Sequence, residues 1–225
     1  MKFENNWVGN FEGAFHGLRH PMESYAKSDS VFGIAESNEW LKEAFIGKND
    51  LDLAQRMIKA GTPNDKFLRQ IFVSVDITAP LYLWKELDQY KVGTVTDSTS
   101  TMHKLASTPI TRDCFEMDDY DGSLKMYDRE PYNIDDYVDD MWDSVIDYCE
   151  TLRKRYLETK DQRYWKELIR LLPESWLQTR TWSANYSVLR NIYHWRKDHR
   201  LQEWHTFCNW ISKLPYANEL ILFDN

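Results

Sequence analysis

Apolar side chains recur with the period of an α-helix from Ile134 to Tyr156, near the middle of the chain. This run comprises Ile134, Tyr137, Val138, Met141, Val145, Tyr148, Cys149, Leu152 and Tyr156. Residues three, four and seven apart lie on one face of a helix, so the spacing places these side chains together. We therefore predict a long amphipathic helix from Ile134 that packs its apolar face against the core.

Shorter patterns predict the elements around this helix. Phe67–Thr78 is rich in β-branched and aromatic residues that in part alternate, and it is the best strand candidate. Helices are predicted at Ser37–Ile46, Asp50–Ala60, Ala79–Tyr90, Asp161–Leu171, Glu174–Trp195 and His199–Leu214. Asn49 and Gly61 are the expected N-cap and C-terminal stop of the second of these helices. The N-terminal segment, from Met1 to Ile34, is expected to be irregular and rich in turns.

The negative charge of the chain is concentrated in one segment. The 225 residues carry a net charge of −8, and 42% of them are hydrophobic. Eleven acids against Lys125 and Arg129 give Asp113–Asp140 a net charge of −9, which leaves about +1 for the rest of the chain. The net acidity argues against binding of nucleic acid or of an anionic membrane. We expect an irregular acidic insertion around 107–132, inside a single domain that spans residues 1–225 and retains room for a basic, anion-binding pocket.

Within this insertion, the stretch "MDDYDGSLKMYD" resembles a calcium-binding loop at Asp119, Asp121 and Gly122. Met117 occupies the first ligand position and Asp128 the last, where such loops carry a bidentate Glu. An acidic, solvated loop is therefore the favoured interpretation, and no metal site is predicted.

Several classes of protein are disfavoured by what the sequence lacks. The cysteines at 114, 149 and 208 include no C-x-x-C pair, so they indicate neither a disulfide framework nor a zinc site. Serine-hydrolase, P-loop and Rossmann signatures are absent, and the six histidines include no H-E-x-x-H motif. No apolar run approaches roughly 18 residues and the N-terminus has no signal-peptide pattern, so we expect a soluble, cytoplasmic protein.

Two polar stretches are candidates for ligand binding. Lys91–Lys104 is small, rich in hydroxyl groups and almost devoid of bulky apolar residues, which suits a loop that hydrogen-bonds a polar ligand. The second stretch comprises Arg19, Ser24, Lys27, Ser28 and Ser30. These residues either line an anion site or belong to an exposed irregular arm, and we favour the arm.

The stretch "WSANYSVLRNIYHWR", from Trp182 to Arg196, combines a helical length with polar residues. At about 100° per residue, an inward stripe within about 100° of arc comprises Trp182, Asn185, Leu189, Ile192, Tyr193 and Arg196. Asn185 and Arg196 are then about 20° apart around the axis and about 16 Å apart along it. Two interpretations stay open: a core helix whose ends meet water, or a long phosphate-bearing ligand held between an amide and a guanidinium.

This region resembles the C-terminal signature of the flavin-dependent thymidylate synthases. That signature has a Leu-Pro pair that opens a helix, a Trp three residues before an Asn, and polar contacts at fixed steps after this Asn. In "LPESWLQTRTWSANYSVLRNIYHWRKDHRLQEW" the positions are met without a gap by Leu172, Pro173, Trp182, Asn185, Asn191, Arg196 and Gln202. The match extends from Leu172 to Trp204.

The resemblance implies roles for individual residues. The candidate flavin contacts are Asn185, Ser187, Asn191 and Gln70. Gln70, next to Arg69, stands near the place of the histidine in the family's T-P-F-E-H motif. Arg196 matches the arginine that binds deoxyuridylate and assists its ionisation, so it is the candidate catalytic residue. Arg170, three residues before Pro173, lies one position from a phosphate-contacting arginine of the family.

The family's other hallmark, R-H-R-x-x-S-x-N-E-x-S-x-R-Y, resembles "YKVGTVTDSTSTMH" at Tyr90–His103 less closely. The opening R-H-R is replaced by Tyr90, Lys91 and Val92, and later replacements are Asp97 for Asn, Ser98 for Glu, Met102 for Arg and His103 for Tyr. Ser100 is identical to the family's residue. Lys91 keeps one cation, and Ser98 and Ser100 are candidates to hydrogen-bond a nucleotide phosphate.

The resemblance also implies a fold, an assembly and a reaction. The fold would be α+β, with a small antiparallel sheet flanked by long helices, and the protein would be a homotetramer with its sites between subunits. FAD would relay a carbon unit from methylenetetrahydrofolate to deoxyuridylate, and NADPH would reduce the flavin.

Three functional hypotheses follow. The first is a divergent flavin-dependent thymidylate synthase that acts on a pyrimidine deoxynucleotide. The second, which the replaced R-H-R residues motivate, is an inactive relative that binds and sequesters a nucleotide. The third is a structural or interaction protein whose aromatic surface serves assembly.

Overall fold

The computed structural model describes residues 1–33, 44–100, 104–129 and 134–223. Its strands are β1 (Lys2–Gly9), β2 (Val31–Phe32), β3 (Ala44–Phe45), β4 (Phe72–Pro80), β5 (Val95–Ser98), β6 (Lys125–Arg129), β7 (Ile134–Tyr137) and β8 (Leu177–Asn185). Its α-helices are α1 (Phe11–Arg19), α2 (Lys48–Ala60), α3 (Leu81–Leu87), α4 (Val138–Thr159), α5 (Gln162–Leu171), α6 (Tyr186–Arg196), α7 (Gln202–Ser212) and α8 (Ala217–Leu220). Short 3₁₀ segments lie at His20–Met22, Tyr25–Lys27, Asn64–Gln70 and Arg112–Cys114.

A small antiparallel sheet with the strand order β1-β4-β8-β5 is combined with several helices, which confirms the predicted α+β class. Across β4 and β8, Thr181 donates to the Asp76 carboxylate at 2.5 Å and Ser183 donates to Ser74 at 3.3 Å. Residue numbers rise along one strand as they fall along the other, as antiparallel pairing requires. Asp76 also accepts from Asn5 of β1 at 2.7 Å. The hydrogen bonds from Thr181 and Asn5 hold the pKa of Asp76 below its usual value.

The chain divides into two compact units. The first comprises Met1–Ile77, Glu86–Asp97 and Arg180–Asn225, and the second comprises Thr78–Lys85 and Ser98–Thr179. The single domain over residues 1–225, with its insertion around 107–132, stays a prediction.

Several aromatic side chains pack together in the core of the first unit. Trp182, Trp204 and Phe207 are buried, and the Phe207 ring meets the two indole rings edge-on with centroids 5.8 Å and 5.7 Å away. Such edge-to-face pairs are stabilising beyond the apolar area they bury. Helix α6 adds Leu189 and Ile192, which are fully buried, as the predicted inward stripe requires.

The predicted helix Glu174–Trp195 is wrong in its first half, where Leu177–Asn185 forms β8. The stretch "LQTRTWSAN" carries threonines at alternate positions, and this period of two is typical of a strand. Asn185 has an extended backbone, and its side-chain oxygen accepts the backbone N–H of Val188 at 3.1 Å. Asn185 is therefore the N-cap of α6. The helical-wheel angle that paired it with Arg196 does not apply, because Asn185 precedes the helix.

In the second unit, α4 and α5 pack around a small apolar cluster. Its members are Leu105, Ile110, Phe115, Cys149 and Leu168. The predicted long helix is confirmed as α4, but it begins at Val138 because residues 134–137 pair with β6 as strand β7. The predicted helix Asp161–Leu171 is confirmed as α5, with Asp161 as an N-cap that accepts the backbone N–H of Arg163 at 2.9 Å.

Glu150 of α4 binds the start of the predicted acidic insertion around 107–132. Its carboxylate accepts the backbone N–H of Ile110 at 2.9 Å and the Arg153 guanidinium at 2.7 Å. Arg153 in turn donates to the carbonyl of Ala106 at 3.2 Å. The hydrogen bonds from Arg153 lower the pKa of Glu150. Burial raises this pKa and the Ile110 N–H lowers it further, and the net result is a pKa of about 2.

We expect Glu150→Gln to destabilise the protein at neutral pH and much less at low pH. The pKa of Glu150 is about 2 in the folded chain against an ordinary value of 4.5. The ionised carboxylate therefore contributes stability above about pH 4.5 that is lost as the pH falls towards about 2. At about 1.4 kcal/mol per pKa unit, this contribution is at most about 3–4 kcal/mol.

Urea unfolding at neutral pH and at about pH 3 measures the difference between the two proteins. Glu158→Gln on the same helix is the matched control, because the pair of Glu158 with Arg155 is exposed and is expected to contribute less than about 1 kcal/mol. A Glu150→Gln effect that stays constant over this pH range would contradict the expectation.

The N-terminal third is more regular than predicted. The segment expected to be irregular contains β1 and α1, and α1 buries Phe11, Phe15 and Leu18. Residues 37–43 of the predicted helix Ser37–Ile46 lie outside the described residues, and Ala44–Phe45 forms a strand. The helix predicted at Asp50–Ala60 is confirmed as α2, and Gly61 ends it with φ 67°. Its N-cap is Gly47 rather than Asn49.

Four further elements differ from the predictions. The strand at Phe67–Thr78 begins at Phe72, because Asn64–Gln70 is 3₁₀. Since β4 continues to Pro80, α3 is shorter than the predicted Ala79–Tyr90. The predicted loop at 91–104 contains β5, and the helix predicted at 199–214 is confirmed as the shorter α7.

Arg19, Ser28 and Ser30 form one hydrogen-bond network with the buried carboxylate of Asp50. Arg19 is itself buried, so the favoured interpretation of an exposed arm is wrong for this residue, whereas Ser28 is exposed. Arg19 donates to Asp50 at 2.6 Å, with the two side chains 5% and 0% exposed. The hydroxyl groups of Ser28 and Ser30 each donate to the other Asp50 oxygen at 2.6 Å. Burial raises the pKa of Asp50, but the hydrogen bonds from Ser28, Ser30 and Arg19 outweigh it and leave the pKa below its usual value.

Candidate functional site

A cleft of about 530 Å³ lies along α6 in the first unit. Its walls include Thr62, Asp65, Arg69, Gly93, Asn185, Ser187, Arg190, Asn191 and His194. Three of the four predicted flavin contacts, Asn185, Ser187 and Asn191, therefore line one cleft. Gln70, the fourth, is not among its walls. A Cβ at Gly17 of α1 would lie 3.3 Å from the Gln70 side-chain oxygen, so this side chain packs on α1.

The cleft presents hydrogen-bond donors that the described residues do not use. The side chain of Arg69 is exposed and forms no ion pair or hydrogen bond within the described ranges. The side chains of Ser187 and Asn191 likewise form no hydrogen bond with a described residue. Arg190 also faces the cleft, although one of its nitrogens donates to the carbonyl of Ile221 at 2.8 Å. These groups are the kind that bind phosphate and carbonyl oxygens.

The first turn of α6 adds to the positive character of this cleft. Asn185 and Ser187 are the N-cap and second residue of an 11-residue helix. The N-terminus of a helix carries a partial positive charge and favours anions. Together with Arg69, it outweighs the one carboxylate among the described walls, Asp65, which accepts from Thr62 at 3.3 Å. The arrangement is chemically suited to an anionic ligand with polar groups.

Gly93 fixes the position of the Asn185 side chain. A Cβ at residue 93 would lie 2.8 Å from the side-chain nitrogen of Asn185 and 3.4 Å from a methyl of Val188. The φ of Gly93 is +81°, which favours glycine. The loop after α3 therefore approaches α6 closely only because residue 93 has no side chain.

Arg196 lies at the opposite end of α6, where other residues surround it. Its Nε donates to the Tyr90 hydroxyl at 2.9 Å, and its Nη1 is 3.1 Å from a carboxylate oxygen of Glu86. Its Cζ lies 4.6 Å from the centroid of the Trp204 ring. Arg196 is not among the walls of the cleft, but Tyr90 begins the segment that continues to Gly93. This short segment thus contacts both ends of α6.

The other predicted nucleotide contacts are scattered. Lys91 is exposed and forms no ion pair within the described ranges. Ser98, Ser100 and Arg170 belong to the second unit, where Ser98 ends β5 and Ser100 is half-buried. Arg170 forms an ion pair with Glu167 one turn earlier on α5. Met102 and His103, from the second hallmark, lie outside the described residues.

Sequence reasoning missed several residues of the cleft and of the Arg196 surroundings. It assigned no role to Asp65, Gly93, His194, Glu86 or Trp204. The glycine inside an otherwise β-branched stretch, "KVGTV", is the signal that could have found the close approach at Gly93. Glu86 carried no signal, because its partner Arg196 is far away along the chain.

The described residues offer no arrangement for a metal. No group of three or more His, Cys, Asp or Glu side chains among them is placed to hold an ion. In the calcium-like stretch, Asp121 instead accepts the backbone N–H and the hydroxyl of Ser123 at 3.0 Å and 2.6 Å. None of the helices in the described ranges combines the length and apolarity needed to cross a bilayer.

Comparisons with known proteins give a likeness of fold. No family model matches the sequence, and no curated protein does. The structure is similar to that of the flavin-dependent thymidylate synthase ThyX from Helicobacter pylori in complex with FAD and dUMP, with a TM-score of 0.64 and 15% identity over 98% of each chain. A second structure of that enzyme with FAD and dUMP gives the same TM-score and identity, over 98% of this chain and 97% of the other.

Proposed function

We propose that this protein binds FAD in the cleft along α6 and a pyrimidine deoxynucleotide near Arg196. The observation that carries the proposal is the convergence of Asn185, Ser187 and Asn191 on one cleft. The resemblance of this stretch to the C-terminal signature of the flavin-dependent thymidylate synthases implies the same three residues as flavin contacts. The full-length likeness to an enzyme whose structure contains FAD and dUMP supports the same ligands.

The donor set fits a flavin dinucleotide. In the proposal, Arg69 and the N-terminal turn of α6 hold the pyrophosphate, since both favour negative charge. Ser187 and Asn191 donate to the oxygen atoms of the ligand, because the described residues leave their polar groups unused. Gln70 stays a candidate contact from outside the cleft walls. When bound, the flavin supplies hydride chemistry, with NADPH as the proposed reductant.

The nucleotide is assigned to the other end of α6. Arg196 uses one of its five N–H groups in a hydrogen bond to Tyr90 and pairs with Glu86 through Nη1, so N–H groups remain for a ligand. Lys91 follows Tyr90 directly and pairs with no acid of the described ranges, so its charge is available to the phosphate. Ser98, Ser100 and Arg170, the other phosphate contacts that the resemblance implies, belong to the second unit and stay sequence predictions.

A reductive methylation of deoxyuridylate is the more specific candidate function, with methylenetetrahydrofolate as the carbon donor. It is favoured by the fixed orientation of Arg196, whose position in the sequence matches the family's ionising arginine. Release of tritium from C5-labelled deoxyuridylate, in the presence of FAD, NADPH and the folate, tests it. Binding of FAD and deoxyuridylate without tritium release would leave a nucleotide-binding protein that has lost the reaction.

Assembly into a homo-oligomer, a tetramer by the resemblance, is part of the proposal. On α4, Met141 and Tyr148 are one heptad apart and are 41% and 69% exposed. Exposed apolar residues at this spacing favour packing against a helix of another copy. Light scattering of the eluting protein measures the mass directly, and a monomer would overturn this part.

We expect Arg69→Ala to weaken the binding of FAD about tenfold or more, because a charge-assisted hydrogen bond to phosphate is lost. Fluorescence quenching of FAD measures the affinity. Lys66→Ala is the matched control, since Lys66 lies in the same 3₁₀ segment, is exposed and is not a wall of the cleft. Equal effects of the two substitutions would contradict a specific phosphate contact and indicate only a general loss of positive charge.

A further inference from the structure

The Arg196 guanidinium is held on three sides. The Tyr90 hydroxyl accepts its Nε at 2.9 Å, and Glu86 lies 3.1 Å from its Nη1. The third side is the Trp204 ring, 4.6 Å from Cζ and itself fully buried. The Arg196 side chain is only 20% exposed. An arginine on an open surface samples many rotamers, whereas this one has a single plane and a fixed edge.

Glu86 is the residue on which this arrangement depends. One carboxylate oxygen of Glu86 contacts Arg196 and also accepts the indole N–H of Trp204 at 2.8 Å. The same oxygen lies 4.0 Å from Nε2 of His199, whose Nδ1 accepts the backbone N–H of Leu201 at 3.2 Å. Glu86 therefore positions both the guanidinium and the aromatic ring beneath it.

The charge of Glu86 also matters to a ligand. A carboxylate at 3.1 Å compensates the charge of Arg196, which makes the guanidinium a directed hydrogen-bond donor more than a source of positive potential. Glu86, Trp204 and Tyr90 together set the plane and the edge of the guanidinium, so the remaining N–H groups point in a fixed direction. Loss of the Glu86 charge would leave the donors in place but would free their orientation.

We propose that Glu86 is a positioning residue that acts on the bound nucleotide through Arg196. It does not touch the ligand in this proposal; it fixes the edge that Arg196 presents. Tyr90, which holds the other side of the guanidinium, has the same role to a smaller extent. The proposal rests on the proposed function, because it requires Arg196 to contact the nucleotide.

A double-mutant cycle tests the proposal. The affinity for deoxyuridylate is measured by calorimetry for the unaltered protein, Glu86→Gln, Arg196→Ala and the double variant. We expect Glu86→Gln to weaken binding about fivefold and Arg196→Ala about tenfold or more. The double variant should bind no more than about twofold more weakly than Arg196→Ala, since Glu86 has no effect once Arg196 is gone.

Asp88→Asn is the matched control, because Asp88 is an exposed acid two residues away that pairs with Arg180 at 2.9 Å. It should leave the affinity within about twofold. Tyr90→Phe keeps the ring, removes only the hydroxyl that accepts from Arg196, and allows a second cycle. Combined with Arg196→Ala, it should not weaken the affinity for deoxyuridylate further.

The outcomes separate this proposal from the one on which it rests. If deoxyuridylate does not bind the unaltered protein, the nucleotide part of the proposed function fails and this inference fails with it. If it binds but the effects of Glu86→Gln and Arg196→Ala multiply, Glu86 acts independently of Arg196 and only the positioning role is overturned. An unchanged affinity in Glu86→Gln likewise overturns the positioning role while binding stands.

Discussion

Replacing Asp50 by alanine is expected to lower the free energy of unfolding by about 3–5 kcal/mol. Asp50 is fully buried, and its removal leaves the Arg19 guanidinium with a charge that no carboxylate compensates. It also removes the acceptor for Ser28 and Ser30. A buried charge without its partner is among the most destabilising defects in a protein core.

Urea unfolding at neutral pH measures this loss. Asp52→Ala is the matched control, because Asp52 lies on the same helix, α2, and its pair with Arg56 at 3.0 Å has side chains that are 66% and 62% exposed. The control should cost less than about 1 kcal/mol. Similar losses in the two variants would show that the Arg19–Asp50 network does not hold the N-terminal segment to α2.

Replacing Gly93 by alanine is expected to weaken the binding of FAD by more than about tenfold. The new Cβ would lie 2.8 Å from the side-chain nitrogen of Asn185, so either the loop or the amide must move. Because Asn185 both lines the cleft and caps α6, its displacement also disturbs the first turn of the helix. The left-handed backbone adds strain at the substituted residue.

Gly61→Ala separates strain from the intrusion on Asn185. Gly61 also has a positive φ, +67°, but nothing lies within 4 Å of the position of its Cβ. Both variants should lose about 1 kcal/mol of stability from the backbone, while only Gly93→Ala should lose affinity for FAD. If Gly61→Ala and Gly93→Ala lost equal affinity for FAD, backbone strain in this unit would explain the loss, and the contact with Asn185 would not.

The parts of the fold that sequence could predict are those with a strong local pattern. Helix α4 repeats its apolar residues along its whole length and was found, as were α2 and α5. Helix α6 was found too, but strand β8 was absorbed into it. In "LQTRTWSAN", the spacing of Trp182 from the apolar residues of α6 also fits a helix. The stretch forms a strand because it pairs with β4 and β5, which a local pattern does not show.

The residues of the candidate site likewise differ in whether a local sequence pattern could predict them. Asn185, Ser187 and Asn191 lie within one short stretch, and the resemblance of that stretch to a family signature implies them as flavin contacts. Arg69, Gly93 and Glu86 come from distant parts of the chain and meet α6 only in the folded protein. The buried role of Arg19 was missed for the same reason, because its partner Asp50 is 31 positions away.

The most direct test of the central claim is the absorption spectrum of the purified protein after FAD is added and unbound FAD is removed by gel filtration. The account predicts that flavin absorbance elutes with the protein, and that Gly93→Ala elutes largely without it while Gly61→Ala retains it. A protein that elutes colourless after exposure to excess FAD would contradict the assignment of the α6 cleft as a flavin site.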